Sequence, residues 1–293
     1  MPDTSRDERY LELLLAPLDK CADYKPRFGS DKSKSVSLGQ FKVLYGSDPF
    51  YHWIGLDSDS MYAAHKAAGG MTSIYRQLGN GCEQLFRAVI QDALDLSASQ
   101  VVWSYEVEKK DKTKGTLTLD ARIDIEHVKN EIVKGRVADW LKRAGTFLKL
   151  KEERIRQLRG AVFEARQGYK SADAKRANAD LGFGMNAASE NYIPVLAVVS
   201  TQASDSVLRR YRNNKMLVMT GTRTDDDTTS TLAFFEKVIG FDLANFFERN
   251  SDAMRERCQR VLDALLTVKP ATDRGASIGV TQTRKSPKKP RAE

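Results

Sequence analysis

Cysteine is scarce: Cys21, Cys82 and Cys258 stand far apart in 293 residues and form no CxxC pair. That spacing excludes a disulfide framework or a cysteine-rich zinc site, which need paired or closely set thiols. The expectation is three small, buried or partly buried thiols. Histidine is as sparse, and the scatter of His52, His65 and His127 gives no Cys–His pair to recommend. No apolar run approaches the ~20 residues that a bilayer span requires. The opening residues Met1 to Glu8 lack an apolar signal region, so the chain reads as cytoplasmic. Walker-type and dinucleotide-type glycine patterns are missing too, which weighs against a nucleotide-cofactor α/β enzyme.

What is present is an ordinary globular composition, 41% hydrophobic and 29% charged, in a chain long enough for one large domain or two small ones. The net charge of +8 points to a polyanionic partner, because fixed positive charge concentrates phosphate ligands. Part of that excess sits in a tail. From about Thr272 the residues are Gly, Ser, Thr, Pro and charge, ending in Arg284-Lys285-Ser286-Pro287-Lys288-Lys289-Pro290-Arg291. With little to bury, 271–293 is expected to be a disordered basic tail, solubilising or adding non-specific DNA affinity.

The remainder divides into an N-terminal helix and irregular arm over 1–72 and a core over 73–270. A short amphipathic helix is expected around Tyr10–Leu18, then a polar connector at Ser30–Ser37 and an aromatic-rich segment at Phe41–Trp53. Between His65 and Gly81, Gly69-Gly70 and Gly79-Asn80-Gly81 flank Tyr75 and Arg76, which suggests a loop, either plain or suited to phosphate contact. Leu85, Phe86, Val89, Ile90 and Ala93 mark a helix over Cys82–Leu96. Val101–Val107 reads as a strand. Thr116–Ile125 alternates, with Leu117, Leu119, Ala121, Ile123 and Ile125 on one face and Asp120 on the other. Helical sequence fills Val128–Arg159, and strands follow at Gly160–Lys170, Tyr192–Ser200 and Lys215–Thr220. Helices are expected at Asp173–Ala188, Asp205–Asn213, Thr231–Ile239, Leu243–Glu248 and Asp252–Thr267. This order predicts an α/β (α+β) fold, a mixed central sheet flanked by helices.

Two acidic residues stand out against that frame. Asp120 projects from the polar face of an otherwise apolar strand, and Glu164 follows Ala161-Val162-Phe163 on the next one. Carboxylates converging from adjacent strands suit a hard divalent cation that also binds water and phosphate. The plainer reading is a structural ion pair of Glu164 with Arg122 or Arg166. Glu83 is a third acidic candidate, competing with stabilisation of a helix N-terminus. After Gly168, the residues Lys170, Asp173, Lys175, Arg176 and Asn178 crowd a strand-to-helix junction. There they can meet phosphate or base edges, or simply form a solvated face.

The block from Phe163 to Asp180, Phe-Glu-Ala-Arg-Gln-Gly-Tyr-Lys-Ser-Ala-Asp-Ala-Lys-Arg-Ala-Asn-Ala-Asp, resembles the active-site region of type II restriction endonucleases of the PD-(D/E)xK superfamily. It is most similar to the BbvCI-like enzymes, built from two related subunits. Gly79-Asn80-Gly81-Cys82-Glu83-Gln84-Leu85-Phe86-Arg87 and the Tyr192–Ser200 strand fit the same pattern, so the resemblance spans about Tyr75 to Asn250. It implies a PD-(D/E)xK nuclease-like core and Mg2+-dependent, sequence-specific cleavage of double-stranded DNA by a homodimer or a heterodimer with a related subunit. Asp120 takes the place of the first acid, Glu164 the second and Lys170 the lysine. Asp120, Glu164 and Glu83 would hold the metal. Arg166, Gln167, Asp173, Lys175, Arg176 and Asn178 would bind DNA, with Arg209, Arg210 and Arg212 as further phosphate contacts.

The chain departs from the family pattern in one place. Acid and lysine are normally separated by one residue, whereas Lys170 lies six positions beyond Glu164. On a straight strand that is ~20 Å, too far to share one phosphate. Either a bend at Gly168 returns Lys170, or Arg166 or Gln167 replaces it. The alternative to an enzyme is a DNA-binding protein or regulatory subunit that needs the basic residues but not the acids.

Overall fold

The computed structural model describes residues 4–28, 35–108, 113–168 and 174–267, with the backbone alone at 174–179. These residues fall in two compact units. The larger takes the chain up to Tyr24 and from Lys66 to Leu266, and the smaller is built on Lys25–His65. Among the described residues no helix is long and apolar enough to cross a membrane.

The arm expected over 1–72 does not hold together as one segment. Its helix, α1 (Thr4–Asp19), buries Tyr10, Leu14, Leu15 and Leu18 in the core of the larger unit. The aromatic segment is helical rather than irregular. In α2 (Leu38–Gly46), Ser37 and Gln40 close a capping box, and in α3 (Pro49–Trp53) Asp48 caps the helix and proline takes a first-turn position. Leu38, Phe41 and Tyr62 form the core of this smaller unit.

The loop expected between His65 and Gly81 is also corrected. Helix α4 runs unbroken through 35 residues, Asp59–Ala93. Three of its four glycines serve packing, not turning. A Cβ on Gly69 would lie 2.0 Å from the Tyr24 hydroxyl, one on Gly70 2.6 Å from Leu265, and one on Gly81 2.0 Å from the Leu14 carbonyl. Close approach of neighbouring elements outweighs the helix cost of about 1 kcal/mol per glycine. Glu83 therefore sits deep in a helix, so the helix-start role considered for it does not apply. The apolar face of α4 buries Leu85, Phe86, Val89 and Ile90, with the Phe86 ring 5.4 Å from that of Phe163.

A short turn of helix, α5 (Ala98–Val101), precedes β1 (Trp103–Glu108), which pairs antiparallel with β2 (Lys114–Leu119) in a two-stranded sheet. The next strand, β3 (Ala121–Asp124), opens a separate four-stranded sheet, so the single strand expected over Thr116–Ile125 is broken at Asp120. Its apolar residues accordingly do not share one face. Leu119 packs in one core cluster, while Ala121 and Ile123 pack in the other.

Helices α6 (Glu131–Phe147) and α7 (Glu152–Arg156) lead to β4 (Gly160–Arg166), which lies antiparallel to β3 and parallel to β5 (Tyr192–Val198). Helix α8 (Ala174–Ser189) connects β4 to β5, and α9 (Asp205–Asn213) connects β5 to the parallel β6 (Leu217–Met219). The described residues close with α10 (Thr231–Phe234), continued by a π turn to Ile239, then α11 (Leu243–Arg249) and α12 (Ser251–Leu266). The sheet order β3-β4-β5-β6 makes an open mixed sheet flanked by helices, as the element order suggested. On β4, Ala161, Phe163 and Ala165 join one hydrophobic cluster while Val162 joins the other. Glu164 and Arg166 take the next two places on the Val162 face, at the strand's C-terminal end.

Candidate active site

The break at Asp120 builds the site. Ala121 stands opposite Phe163, and the Asp120 N–H donates to the Phe163 carbonyl at 3.2 Å, which places Asp120 beside the C-terminal end of β4. One oxygen of Asp120 accepts the Ala165 N–H at 2.7 Å. From α4, Arg87 donates to the Asp120 backbone carbonyl at 2.6 Å, which leaves its nearer guanidinium nitrogen 4.0 Å from the carboxylate. Glu164 lies 2.8 Å from the Arg166 guanidinium, which also donates to Asp180 of α8 at 2.7 Å. Tyr211 of α9 donates to the other oxygen of Asp180 at 2.7 Å.

These carboxyls are under electrostatic stress. Burial, then the charge of Glu83, pushes Asp120 up to about 7, against the Ala165 N–H, Arg87 and Arg166. Burial, then the charge of Asp120, pushes Glu164 up to about 8, and Arg166 offsets only part of it. Glu83 is raised as well, by burial and then by Glu164. Tyr105 of β1 is raised by burial, then by Glu164 and Asp180. Three acids thus share a desolvated corner in which each raises the cost of ionising its neighbour.

Asp124, at the other end of β3, is the internal control. It is 1% exposed, yet it accepts Tyr192 Oη at 2.6 Å and an Arg159 nitrogen at 2.8 Å. Burial alone would raise its pKa, but Tyr192, the Glu126 N–H and Arg159 together hold it below the ordinary value. The partners of Asp124 outweigh its burial, and those of Asp120 do not. Replacing Asp124 by alanine strands Arg159 and Tyr192, so we expect a loss of about 3 kcal/mol. In thermal denaturation at pH 7 that is a drop of roughly 10 °C. An unchanged melting temperature would contradict this assignment.

Not every residue singled out in the sequence can be placed. Lys170 and Asp173 lie outside the described residues, and so do the side chains of Lys175, Arg176 and Asn178, whose backbone belongs to α8. Arg166 is 6% exposed and pairs with Glu164 and Asp180. Arg122 instead donates to the carbonyls of Gln100 and Ser99. Arg209, Arg210 and Arg212 are exposed on α9. Sequence reasoning gave no role to Arg87, Asp180, Tyr211 or Tyr105. Only Arg87 carried a signal, since its i+4 spacing from Glu83 puts both on one helix face.

A cleft of about 480 Å³ opens beside the acids, between α4 and the end of β4. Among the described residues no group of three or more His, Cys, Asp or Glu side chains is disposed as a metal cage. The donor set nevertheless fits Mg2+, which takes one or two carboxylates and fills its other positions with water and substrate phosphate. Comparison with known protein families, with curated sequences and with solved structures finds no match for the chain.

Proposed function

We propose that the chain is a Mg2+-dependent DNA endonuclease with a PD-(D/E)xK-type site, acting on double-stranded DNA at a specific sequence. One observation carries the reading: the buried Asp120, just before β3, and the partly buried Glu164 of β4 share one corner, and both are held well above the ordinary carboxylate range. Such a pair is stabilised by a cation, and Asp120 and Glu164 would hold it, with Glu83 adding charge nearby. When bound, the ion supplies an activated water and neutralises charge building on the phosphodiester.

The chain's own residues do the rest. The Ala165 N–H and Arg87 fix Asp120, and Arg166, permanently charged, fixes Glu164. Arg166 occupies the strand position two beyond the second acid, where the family pattern places its lysine. Lys170, the family's lysine by resemblance, lies outside the described residues. DNA is gripped by the α8 start and the arginines of α9. One site cuts one strand, so a double-strand break requires a second copy or a related subunit.

A second reading has its own support. The Glu164–Arg166–Asp180–Tyr211 chain of contacts is what a non-catalytic DNA-binding protein would use to knit β4, α8 and α9 together. Incubating plasmid DNA with the protein separates the two. The enzyme nicks or linearises the plasmid with Mg2+ and not with chelator, and Asp120→Ala abolishes cutting while DNA binding persists. Plasmid left intact at all Mg2+ concentrations would leave only the second reading.

A further inference from the structure

Helix α4 contains a glycine that its own packing does not explain. Gly69, Gly70 and Gly81 each touch a neighbouring element too closely for a side chain, but around Gly79 no atom lies within 4 Å of a built Cβ. Gly135 in α6 and Gly182 in α8 are equally open, and of the three Gly79 lines the cleft beside the acids. A glycine inside a helix weakens it relative to almost any other residue, and one recurrent use is to let a ligand come close to backbone. Around Gly79 the cleft wall is polar. Thr72, Arg76, Asn80 and Glu83 share it with Gln167 and Gly168 from the end of β4.

The spacing of that wall gives it a direction. Positions 72, 76, 79, 80, 83 and 87 recur at three and four residues, so they form one stripe along α4. The stripe ends at Arg87, which holds the Asp120 carbonyl. From Thr72 to Arg87 the helix rises about 22 Å, the length of six or seven stacked nucleotides. Arg76 and Tyr75 are both exposed along it. A cation, an amide, a hydroxyl and a bare stretch of helix backbone leading to an acid pair match a sugar-phosphate strand: cation and amide to phosphate oxygens, open backbone to the sugar.

We infer that this cleft seats the backbone of the DNA strand being cut, which passes over Gly79 with a phosphate at Arg76 on its way to Asp120 and Glu164. The inference rests on the nuclease reading and assigns the track by which that site receives its substrate.

The test uses the full chain, a fluorescently labelled 30-base-pair duplex, and two variants outside the acid pair. Gly79→Leu extends into the cleft from a Cβ position with no neighbouring atom within 4 Å and removes a helix glycine, so its melting temperature should equal or exceed that of the parent. Its affinity for the duplex, read by anisotropy with Ca2+ in place of Mg2+, should fall by about tenfold or more. Arg76→Ala should weaken binding by about five- to tenfold and lower the salt slope by about one counterion, an effect that loss of structure would not mimic. A folded Gly79→Leu that binds as the parent does, or an Arg76→Ala with an unchanged salt slope, overturns the track.

The two readings fail separately. If both variants lose binding but the parent cuts nothing with Mg2+, the cleft still seats a DNA backbone and the hydrolytic reading falls. If the parent cuts and Gly79→Leu cuts at the same half-saturating enzyme concentration, the track falls and hydrolysis stands. Binding of the parent to a single strand or an RNA but not to the duplex also overturns the track as stated.

Discussion

Glu164→Gln is expected to lower the single-turnover rate of Mg2+-dependent DNA cleavage by about 10³-fold or more, with little change in half-saturating enzyme concentration. The glutamine keeps shape and burial but loses the charge that pairs with Asp120 to hold a cation. Losing metal-derived stabilisation of the transition state costs several kcal/mol, and about 4 kcal/mol is a thousandfold in rate. DNA affinity depends on other residues, so the loss should fall on the rate and not on binding. The same variant should melt at a higher temperature than the parent at pH 8 without metal. Glu164 is forced up to about 8 by burial and by Asp120, so ionising it costs stability that a neutral amide does not. A group kept only for structure behaves the opposite way, since removing its charge would weaken its hold on Arg166 and lower the melting temperature. A lowered melting temperature together with normal cleavage would therefore remove Glu164 from the site.

The metal-free protein is also expected to lose stability as pH rises from 5.5 to 8.5. Asp120 and Glu164 have folded-state pKa values of about 7 and about 8, above their ordinary values of 3.8 and 4.5. Protons therefore bind the folded chain more tightly than the unfolded one. The resulting stabilisation is complete below about pH 4 and disappears as pH climbs through 7 and 8. A tenfold gain in proton affinity on folding corresponds to about 1.4 kcal/mol, but the two carboxyls partly report one shared interaction, so a combined loss of roughly 3 kcal/mol is expected. In a domain of this size that is roughly 6–12 °C. Mg2+ should reverse the trend, stabilising more at pH 8.5 than at pH 6, because it competes with the protons for the same oxygens. With Asp120→Asn and Glu164→Gln combined, both the slope and the Mg2+ effect should flatten. A parent whose metal-free stability rises across this window would show that the pair is not under strain.

Much of the fold was legible because it follows from patterns that local physics enforces. Helix α9 begins and ends where its apolar residues and basic last turn suggested, and the uninterrupted apolar run of β5 is buried along its whole length. What misled was glycine. Gly69, Gly70 and Gly81 look like loop signals, but their contacts with Tyr24, Leu265 and Leu14 come from distant parts of the chain, which no local window contains. The break at Asp120 was hidden for a related reason. Leu119 and Ala121 keep perfect alternation, yet the strand changes sheets between them, so an unbroken pattern spans two cores.

At the site, Asp120 and Glu164 were visible as charges in apolar company, and the expectation that they would meet came from adjacent strands. Their supports were not. Asp180 reaches Arg166 from α8 and Tyr211 reaches Asp180 from α9, and only the packed sheet brings them there. The structural pairing considered for Glu164 is partly realised, with Arg166 as its partner, and it coexists with an Asp120 whose pKa is raised by burial and by Glu83.

Titration calorimetry of the metal-free protein with Mg2+ at pH 7, repeated in two buffers of different ionisation enthalpy, counts the protons the metal displaces. Two carboxyls held near 7 and 8 carry more than one proton between them at that pH. Saturable binding at one site with release of about one proton, absent in Glu164→Gln, is the expected result. Saturable binding with no proton release, or no binding at all at millimolar Mg2+, would contradict a cation site at Asp120 and Glu164.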